Sequence, residues 1–376
     1  MARPRFSETA IARIGQAVRS GMVASGPLVK ELELRLGERV GQPHAVACGN
    51  GTAALHASLA ALHVAAGSAV ITTAFSFVAT ASAIVHAGCV PLFCDIDDSF
   101  NLDSRRLDET IRAARAAGRN PAAVIFVHLY GNPTNVAEVA AVCARHGLPL
   151  IEDCAQAVGA MYSGRPVGAF GTIAAYSFYA TKNVAAGEGG AVVTADASLA
   201  EHVRKFINHG KTAPYAHELV GYNYRMSDLH AALALDQLEH FETLFERRQA
   251  NARTLREALR PHAAVSMPRV AAQAGHAYHQ FTVVLSPERR EALARHLAAD
   301  QIQSAVIYPT PLPRLRCFAT LPQSGGASFA VAEAASQGCL SLPVHSDLGP
   351  TEIDRIVGSL GRFFEGLGQD RQNRVI

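Results

Sequence analysis

Lys182 stands in the run Ser177-Phe178-Tyr179-Ala180-Thr181-Lys182-Asn183, and Gly187-Glu188-Gly189-Gly190 follows shortly after. A strand-like stretch, Ala174 to Tyr179, precedes this lysine, and another, Ala191 to Thr194, follows the glycines. A lysine held at the end of a rigid strand inside an α/β core can hold an aldehyde cofactor as a Schiff base. Asp153 closes the apolar run Leu148-Pro149-Leu150-Ile151 and is a second candidate. A carboxylate buried there needs a cationic partner, and a protonated pyridine nitrogen would serve as one. An N-cap or a surface acid is the plainer alternative. Gln156 lies one helical turn on and can reach the same bound ring, and Ser177 is placed for a phosphate. Gly49-Asn50-Gly51-Thr52 opens a predicted helix, whose free N–H groups, with the Thr52 hydroxyl, suit a phosphate. An ordinary capped turn would read the same way. Phe77 is either a cover for a ring face or plain core. Gly221-Tyr222-Asn223-Tyr224-Arg225-Met226 is too polar for a core and too aromatic for a plain loop, so it reads as a ligand or interface segment.

The elements that must position these residues follow a simple alternation. Apolar, β-rich runs at 45–48, 69–72, 90–94, 123–127 and 148–151 each lie near an Ala-rich helical stretch, such as 52–64 and 76–87. Strands buried on both faces and joined through helices imply a parallel sheet, and ligands of such sheets bind beyond the carboxyl ends of the strands. A long helical pattern runs from Met226 to Leu259 and stops at Pro261. Beyond it, strands are expected at 281–285, 305–308 and 340–343, with helices at 287–299, 326–338 and 350–363, and a frayed polar tail after Gly366. These features predict a large domain, 1–255, and a smaller C-terminal α/β domain, 256–376.

Composition narrows the functional classes. The 376 residues are 49% hydrophobic and 18% charged, with a net charge of +2 and no basic run, which argues against nucleic acid or an anionic membrane as partner. No apolar stretch is long enough to cross a bilayer, and the N-terminal residues lack the apolar centre of a signal peptide. The seven cysteines form no Cys-x-x-Cys pair and mostly sit in apolar runs, so buried thiols in a reducing cytoplasm are expected, with no disulfide and no metal site.

Taken in order, these stretches resemble the DegT/DnrJ/EryC1/StrS group of pyridoxal-phosphate-dependent sugar aminotransferases, of the aspartate-aminotransferase-like fold type I. The matching segments run from Ser20 into the C-terminal domain. They are Ser20-Gly21 with Ser25-Gly26-Pro27, Gly51 to Leu55, Val127 to Gly131, Ile151 to Ala157, the Lys182 stretch, Gly221 to Met226 and Leu340 to Pro343. The resemblance implies a mostly parallel seven-stranded sheet between helices, with Lys182 as both Schiff-base lysine and proton-moving base. It further implies Asp153 on the pyridine nitrogen, Gln156 on the phenolic oxygen and Phe77 on the ring face. Gly51, Thr52, Ala53 and Ser177 would bind the phosphate. Asn223 would reach it from a neighbouring subunit, making a homodimer with shared active sites. His209, Tyr308, Arg225 and Arg314 fall where relatives meet the sugar or nucleotide. The implied reaction passes an amino group from L-glutamate to the ketone of a nucleotide-diphosphate-linked sugar. A keto-cyclitol acceptor with glutamine or glutamate as donor is the alternative. A sugar dehydratase of the same fold would carry His in place of Lys182, and a non-catalytic regulator would have lost Lys182 or Asp153.

Four departures from the family pattern stand out: Asn50 where Ser is frequent, Cys154 for Ala, Ala180 for Pro, and Pro313-Arg314 after Pro311-Leu312 where relatives have a histidine.

Overall fold

The computed structural model describes residues 4–321 and 328–372. Two helices lead the chain, α1 (Glu8–Ser20) and α2 (Pro27–Val40). The Ser7 side chain accepts from the Ala10 N–H to start α1, and Gly21, at φ 74°, ends it in the left-handed conformation that glycine adopts without strain. Pro27 opens α2, where a missing N–H costs nothing.

The central unit then alternates. Strand β1 (His44–Cys48) leads to α3 (Gly51–Ala61), β2 (Ala69–Thr73) to α4 (Val78–His86), and β3 (Val90–Cys94) to α5 (Ser104–Ala116). β4 (Pro121–Val127) leads to α6 (Val136–His146) and β5 (Leu150–Asp153). β6 (Ile173–Ser177) and β7 (Gly190–Thr194) complete the sheet, followed by α7 (Ala197–Phe206). The seven strands lie in the order β1-β7-β6-β5-β4-β2-β3. Neighbours from β6 to β3 run parallel, whereas β7 runs against both β1 and β6. Val46, Val70, Ile125, Ile151 and Val192 pack on one face of the sheet, and Ala47, Ala174, Tyr176 and Val193 on the other, so apolar layers cover both sides.

The long helix expected from Met226 to Leu259 is two helices, α8 (Asp228–Glu239) and α9 (Phe241–Leu259). They meet at His240, where φ −96° and ψ 6° leave helical geometry, and Phe241, the first residue of α9, is buried in the core of the large unit. The last turns of α9 enter a different core. Ala252, Leu255 and Leu259 pack with Phe281, Leu293, Leu340 and Ile356. That core belongs to a two-stranded antiparallel sheet, β8 (Phe281–Val284) with β9 (Cys339–Leu342), covered by α10 (Pro287–Ala299), α11 (Ala330–Gly338) and α12 (Pro350–Gln372). We propose that the domain boundary falls within α9.

Two other expectations change. Residues 305–308 form no strand, only a single bridge between Ala305 and Ser341, because Tyr308 takes a left-handed φ of 65° and Pro309 follows it. The helix at the C-terminus continues past Gly366 to Gln372, and the last four residues of the tail expected to fray lie outside the described residues. The expected helix start at 326 lies outside the described residues, and the described helix begins at Ala330.

Candidate active site

The candidate residues converge at the carboxyl ends of β4, β5 and β6. Asp153, the last residue of β5, is 5% exposed. One of its oxygens accepts the Thr80 hydroxyl at 2.8 Å and the other accepts the Ala155 N–H at 3.2 Å. No cation pairs with it among the described residues. Burial pushes its carboxyl above the usual 3.8, while the Thr80 and Ala155 bonds and the charge of Lys182 pull it part of the way back. Thr80 carries no signal in the sequence beyond being a hydroxyl in an Ala-rich helix.

Lys182 lies on the connection between β6 and β7, which is tied into a hairpin. Phe178 donates to the Gly189 carbonyl at 2.8 Å, Ala186 to Phe178 at 2.7 Å, Ala180 to Gly187 at 3.0 Å, and Lys182 to Tyr179 at 2.8 Å. Its side chain is half-buried. Burial lowers its pKa from 10.5 to about 8, against the opposing charge of Asp153. Asn183, beside it, donates to the Ala277 carbonyl at 3.1 Å, and its Oδ1 faces His279 Nδ1 at 3.4 Å.

The start of α3 sits against the same edge. Asn50 Oδ1 accepts the Ala53 N–H at 2.8 Å, and the Asn50 carbonyl accepts Ala54 at 3.1 Å. Ala53 therefore gives its N–H to the cap, while Gly51 and Thr52 precede any carbonyl that the helix could offer them. A Cβ on Gly51 would lie 2.8 Å from Ser177 Cβ, and one on Gly190 would lie 2.5 Å from the Asn50 carbonyl carbon. Glycine at both places lets Ser177 and β7 press onto the helix start.

An aromatic group borders this space. Phe77, directly before α4, is 56% exposed and tilts toward Tyr308 with ring centres 6.3 Å apart. Tyr308 lies parallel to Tyr130, with centres 6.4 Å apart. Gln156 ties them together: its Oε1 accepts the Tyr130 N–H at 2.6 Å and its Nε2 donates to the Tyr308 hydroxyl at 2.7 Å. Burial raises the Tyr308 phenol above its usual 10. Beneath, His128 and Glu152 are fully buried, 2.9 Å apart. Glu152 also accepts N–H groups from Gly168, Phe170 and Gly171 at 2.8, 2.7 and 2.6 Å. Cys154 lies close to both, but those donors saturate the carboxylate that a metal would need.

Four sequence-derived candidates stand apart. The Tyr224 carbonyl accepts from Gly49 at 2.7 Å, which lays the 221–226 segment beside the entry to α3. Asn223 on that segment is exposed, and Arg225 donates to Asn208 Oδ1 at 2.6 Å. His209 is exposed, with a left-handed φ of 58°, and its carbonyl accepts from His217. No described hydrogen bond joins these residues to Lys182, Asp153 or Gln156. Arg314 gives two guanidinium N–H groups to Glu333 Oε1, at 2.9 and 2.8 Å.

Residues 4–361 match the DegT/DnrJ/EryC1/StrS aminotransferase family. The chain belongs to this family. It is 36% identical to the Pleiotropic regulatory protein of Geobacillus stearothermophilus, over 93% of each chain. It is also 36% identical to UDP-N-acetyl-3-dehydro-alpha-D-glucosamine 3-aminotransferase of Acidithiobacillus ferrooxidans, over 94% of this chain and 93% of that one. A crystal structure of a DegT DnrJ EryC1 StrS aminotransferase from Brucella abortus superposes with a TM-score of 0.91, at 34% identity and 95% coverage of both chains.

The aminotransferase site can be tested against pyridoxal phosphate residue by residue. Its pyridine ring requires an anion at the nitrogen, and Asp153 is a buried carboxylate with no cation on it. Its phosphate requires donors, and the N-terminus of α3 with Ser177 provides them. Its aldehyde requires an amine that loses its proton readily, and Lys182 is the low-pKa lysine of the site. The residues fit the group.

Proposed function

We propose that this chain is a pyridoxal-phosphate-dependent aminotransferase that moves an amino group from L-glutamate to the ketone of a nucleotide-diphosphate-linked sugar. The observation that carries the reading is Asp153: a carboxylate held in the interior by one hydroxyl and one N–H, at the C-terminal end of β5, with Lys182 as the neighbouring ionisable base. Relatives named as UDP-sugar aminotransferases support the sugar ketone over a cyclitol. The regulatory name of the Geobacillus relative does not weigh against catalysis here, since Lys182 and Asp153 are both present.

Pyridoxal phosphate, when bound, accepts the electron pair left on the donor carbon once its proton is removed. The residues of the chain do the rest. Asp153 keeps a proton on the pyridine nitrogen, and Thr80 and Ala155 fix the direction of its carboxylate. Lys182, whose ammonium burial makes easier to deprotonate, takes in its neutral form the proton from the donor carbon and returns it to the acceptor. Gly51, Thr52 and Ser177 hold the phosphate, with Ala53 contributing through the cap it completes. Phe77 covers one ring face. Gln156, its amide direction set by Tyr130, places Nε2–H and the Tyr308 hydroxyl together at the substrate side. Tyr308, and on the nucleotide side His209 and Arg225, meet the sugar; Arg314 does so only by leaving Glu333.

The chain works as a cytoplasmic homodimer in this reading, with Asn223 reaching the phosphate of the neighbouring subunit. Its exposure, together with that of Tyr222 and Val220 on the same segment, supports a partner surface. No helix of the described residues is long and apolar enough to cross a membrane. Visible absorption of the protein with pyridoxal phosphate, before and after L-glutamate, tests the half-reaction. Conversion to the pyridoxamine form in the wild type and not in Lys182→Ala is expected, followed by reversal with a keto-sugar nucleotide. An unchanged spectrum with glutamate and with glutamine refutes the aminotransfer reading. Mixing Lys182→Ala with Asn223→Ala protein should restore activity above either alone; a failure to do so refutes the shared site.

A further inference from the structure

Asn183 follows Lys182 directly, in the turn of the β6–β7 hairpin. The backbone bonds of the hairpin hold 178–182 and 186–189, and residues 183–185 make none among those described. Val184 and Ala185 are buried, so packing fixes part of this turn. Its polar hold is the Asn183 side chain. Nδ2 donates to the Ala277 carbonyl at 3.1 Å, which leaves Oδ1 turned to His279 Nδ1 at 3.4 Å. Oδ1 can only accept, so Nδ1 is the ring nitrogen that carries the proton when the imidazole is neutral. Burial and the charges of Lys182 and Arg248 keep it neutral, holding its pKa well below 6.5.

The segment that carries Ala277 and His279 is bonded to another arm of the site as well. Ala277 donates to the Gly131 carbonyl at 2.8 Å, and Gln280 to the Tyr130 carbonyl at 3.3 Å. This is the turn whose Tyr130 N–H orients Gln156. Gly131, at φ 95°, leaves no room for a side chain: a Cβ there would lie 2.8 Å from the Gln156 carbonyl oxygen and 3.0 Å from Ala277 Cβ. Helix α9 holds the same segment, with Gln249 Nε2 on the His276 carbonyl at 2.6 Å and Arg248 Nη1 on the Tyr278 carbonyl at 3.1 Å. Directly after Gln280 the chain enters β8 of the small unit. The residue beside Lys182 is therefore bonded to the connection that joins the two units, and that connection is fixed from several directions.

We propose that Asn183 and His279 are a positioning pair, which ties the Lys182 hairpin to the segment joining the two units and keeps the lysine amine in its half-buried place. The catalytic meaning of the pair rests on the aminotransfer reading, but the tether is measurable without cofactor. Competitive acetylation of the cofactor-free protein across pH, read at the Lys182 peptide by mass spectrometry, reports the proton state of the amine. In the wild type the midpoint should lie at about 8. Asn183→Ala leaves in place the charged and titratable groups around Lys182: Asp153, His279 and, at the cavity Lys182 lines, Arg5, Arg248, His345 and Asp347. An amine released from its place meets more water, so the midpoint should rise by about one pH unit, a roughly tenfold smaller neutral share at pH 7. His279→Ala should do the same. His279→Asn puts an amide N–H where Nδ1 stands and should keep the wild-type midpoint, whereas His279→Gln puts it at Nε2 and should follow His279→Ala. Capture of pyridoxal phosphate at pH 7, followed by visible absorption, should slow about tenfold in Asn183→Ala, His279→Ala and His279→Gln. A role in fold stability alone would lower the melting temperature and leave all midpoints together, and that result overturns the proposal. Equal midpoints in the Asn and Gln variants, or rescue by Gln and not by Asn, overturn it as well. If the Ala variants fail to fold, the comparison of His279→Asn with His279→Gln decides. Midpoint shifts in the expected order, with no capture of pyridoxal phosphate by the wild type, keep the tether and remove the aminotransfer reading.

Discussion

Lys182→Met should make the cofactor-free protein more stable at neutral pH. The folded protein lowers this lysine from 10.5 to about 8 because burial disfavours its charge. At 1.36 kcal/mol per pH unit, that difference corresponds to roughly 3 kcal/mol. The sign follows from proton counts. Between about 8 and 10.5 the unfolded chain keeps the proton that the folded chain has lost, so stability rises with pH across that window. Below it both states are protonated, and the folded state carries the full cost of a half-buried ammonium. Methionine has similar length and no charge, so at pH 7 the variant avoids this cost. Part of the gain is returned, since the lysine charge also eases the buried carboxylate of Asp153. The net effect should be a gain of about 1–3 kcal/mol at pH 7, shrinking toward zero near pH 10.5. Urea unfolding of wild type and variant across that range, followed by both fluorescence and circular dichroism, measures the difference directly. A second comparison, Asp153→Asn in the Lys182→Met background, should recover the returned part. Equal or lower stability of Lys182→Met at pH 7, or a difference that does not change with pH, would refute the argument that burial sets the state of this lysine.

Glu152→Gln should destabilise the fold by about 2–4 kcal/mol, because an amide supplies one acceptor oxygen where the carboxylate serves three N–H groups and His128. Denaturant titration checks it, and a change under about 1 kcal/mol would show that the network is dispensable. Burial alone would raise the Glu152 carboxyl, but its His128 and backbone bonds outweigh that and hold it below 4.5. Its contribution is therefore complete above 4.5 and lost as pH falls through the folded value, and acid-unfolding curves of Glu152→Gln should be flatter there than those of wild type. Gly190→Ala should cost about 1–3 kcal/mol and weaken pyridoxal phosphate binding, since its Cβ meets the Asn50 backbone at 2.5–2.6 Å; unaltered binding in a fluorescence titration would separate β7 from the phosphate site. Arg314→Ala should change stability by no more than about 1 kcal/mol, its partner Glu333 being a surface acid. An unchanged KM for the sugar nucleotide is expected as well, and a large rise would return Arg314 to the substrate site.

The alternation of apolar runs with helical stretches was readable because strands buried on both faces need no polar alternate positions, as Val70, Ile71 and Ile125 illustrate. Lys182, Asp153 and the turn at Gly51 were legible for a related reason: each follows directly on such a run. Their partners were less so. Thr80 reaches Asp153 from a helix that begins after a different strand, and nothing in its neighbourhood marks a hydroxyl as aimed inward. Tyr130 acts through its backbone N–H, which any residue would possess, and the side chain of Gln156 reveals that bond only in three dimensions. Arg248 sits in a helix stretch rich in charged residues, where a solvated face is the ordinary expectation. The break at His240 was hidden because no proline or glycine marks it, and α8 and α9 each continue with good helix formers. Residues 305–308 misled in the opposite way. Their β-branched composition suits a strand, but the backbone is set by Pro309 and by the left-handed turn at Tyr308, which carries that ring toward Gln156.

The one strand that runs against its neighbours explains why so many of these residues meet. Had β7 continued the parallel pattern, the chain after Ser177 would have needed a long crossover before returning to the sheet. Instead it reverses through the 178–189 hairpin, and Ser177 and Gly190 become register partners. Both of them touch the start of α3, Ser177 at Gly51 and Gly190 at Asn50. The same reversal fixes Lys182 on a connection whose ends are pinned by four backbone hydrogen bonds within it. A lysine on a free loop would lose far more conformational freedom on meeting a ligand. Asp153, one strand away on β5, is then brought within electrostatic reach of Lys182 by the sheet itself, since Asp153 and Ala175 are paired in register. The geometry of base, anion cradle and buried carboxylate thus follows from one topological choice. Single substitutions at Gly51 or Gly190, which carry no chemistry of their own, should disturb it as surely as changes at the reactive side chains.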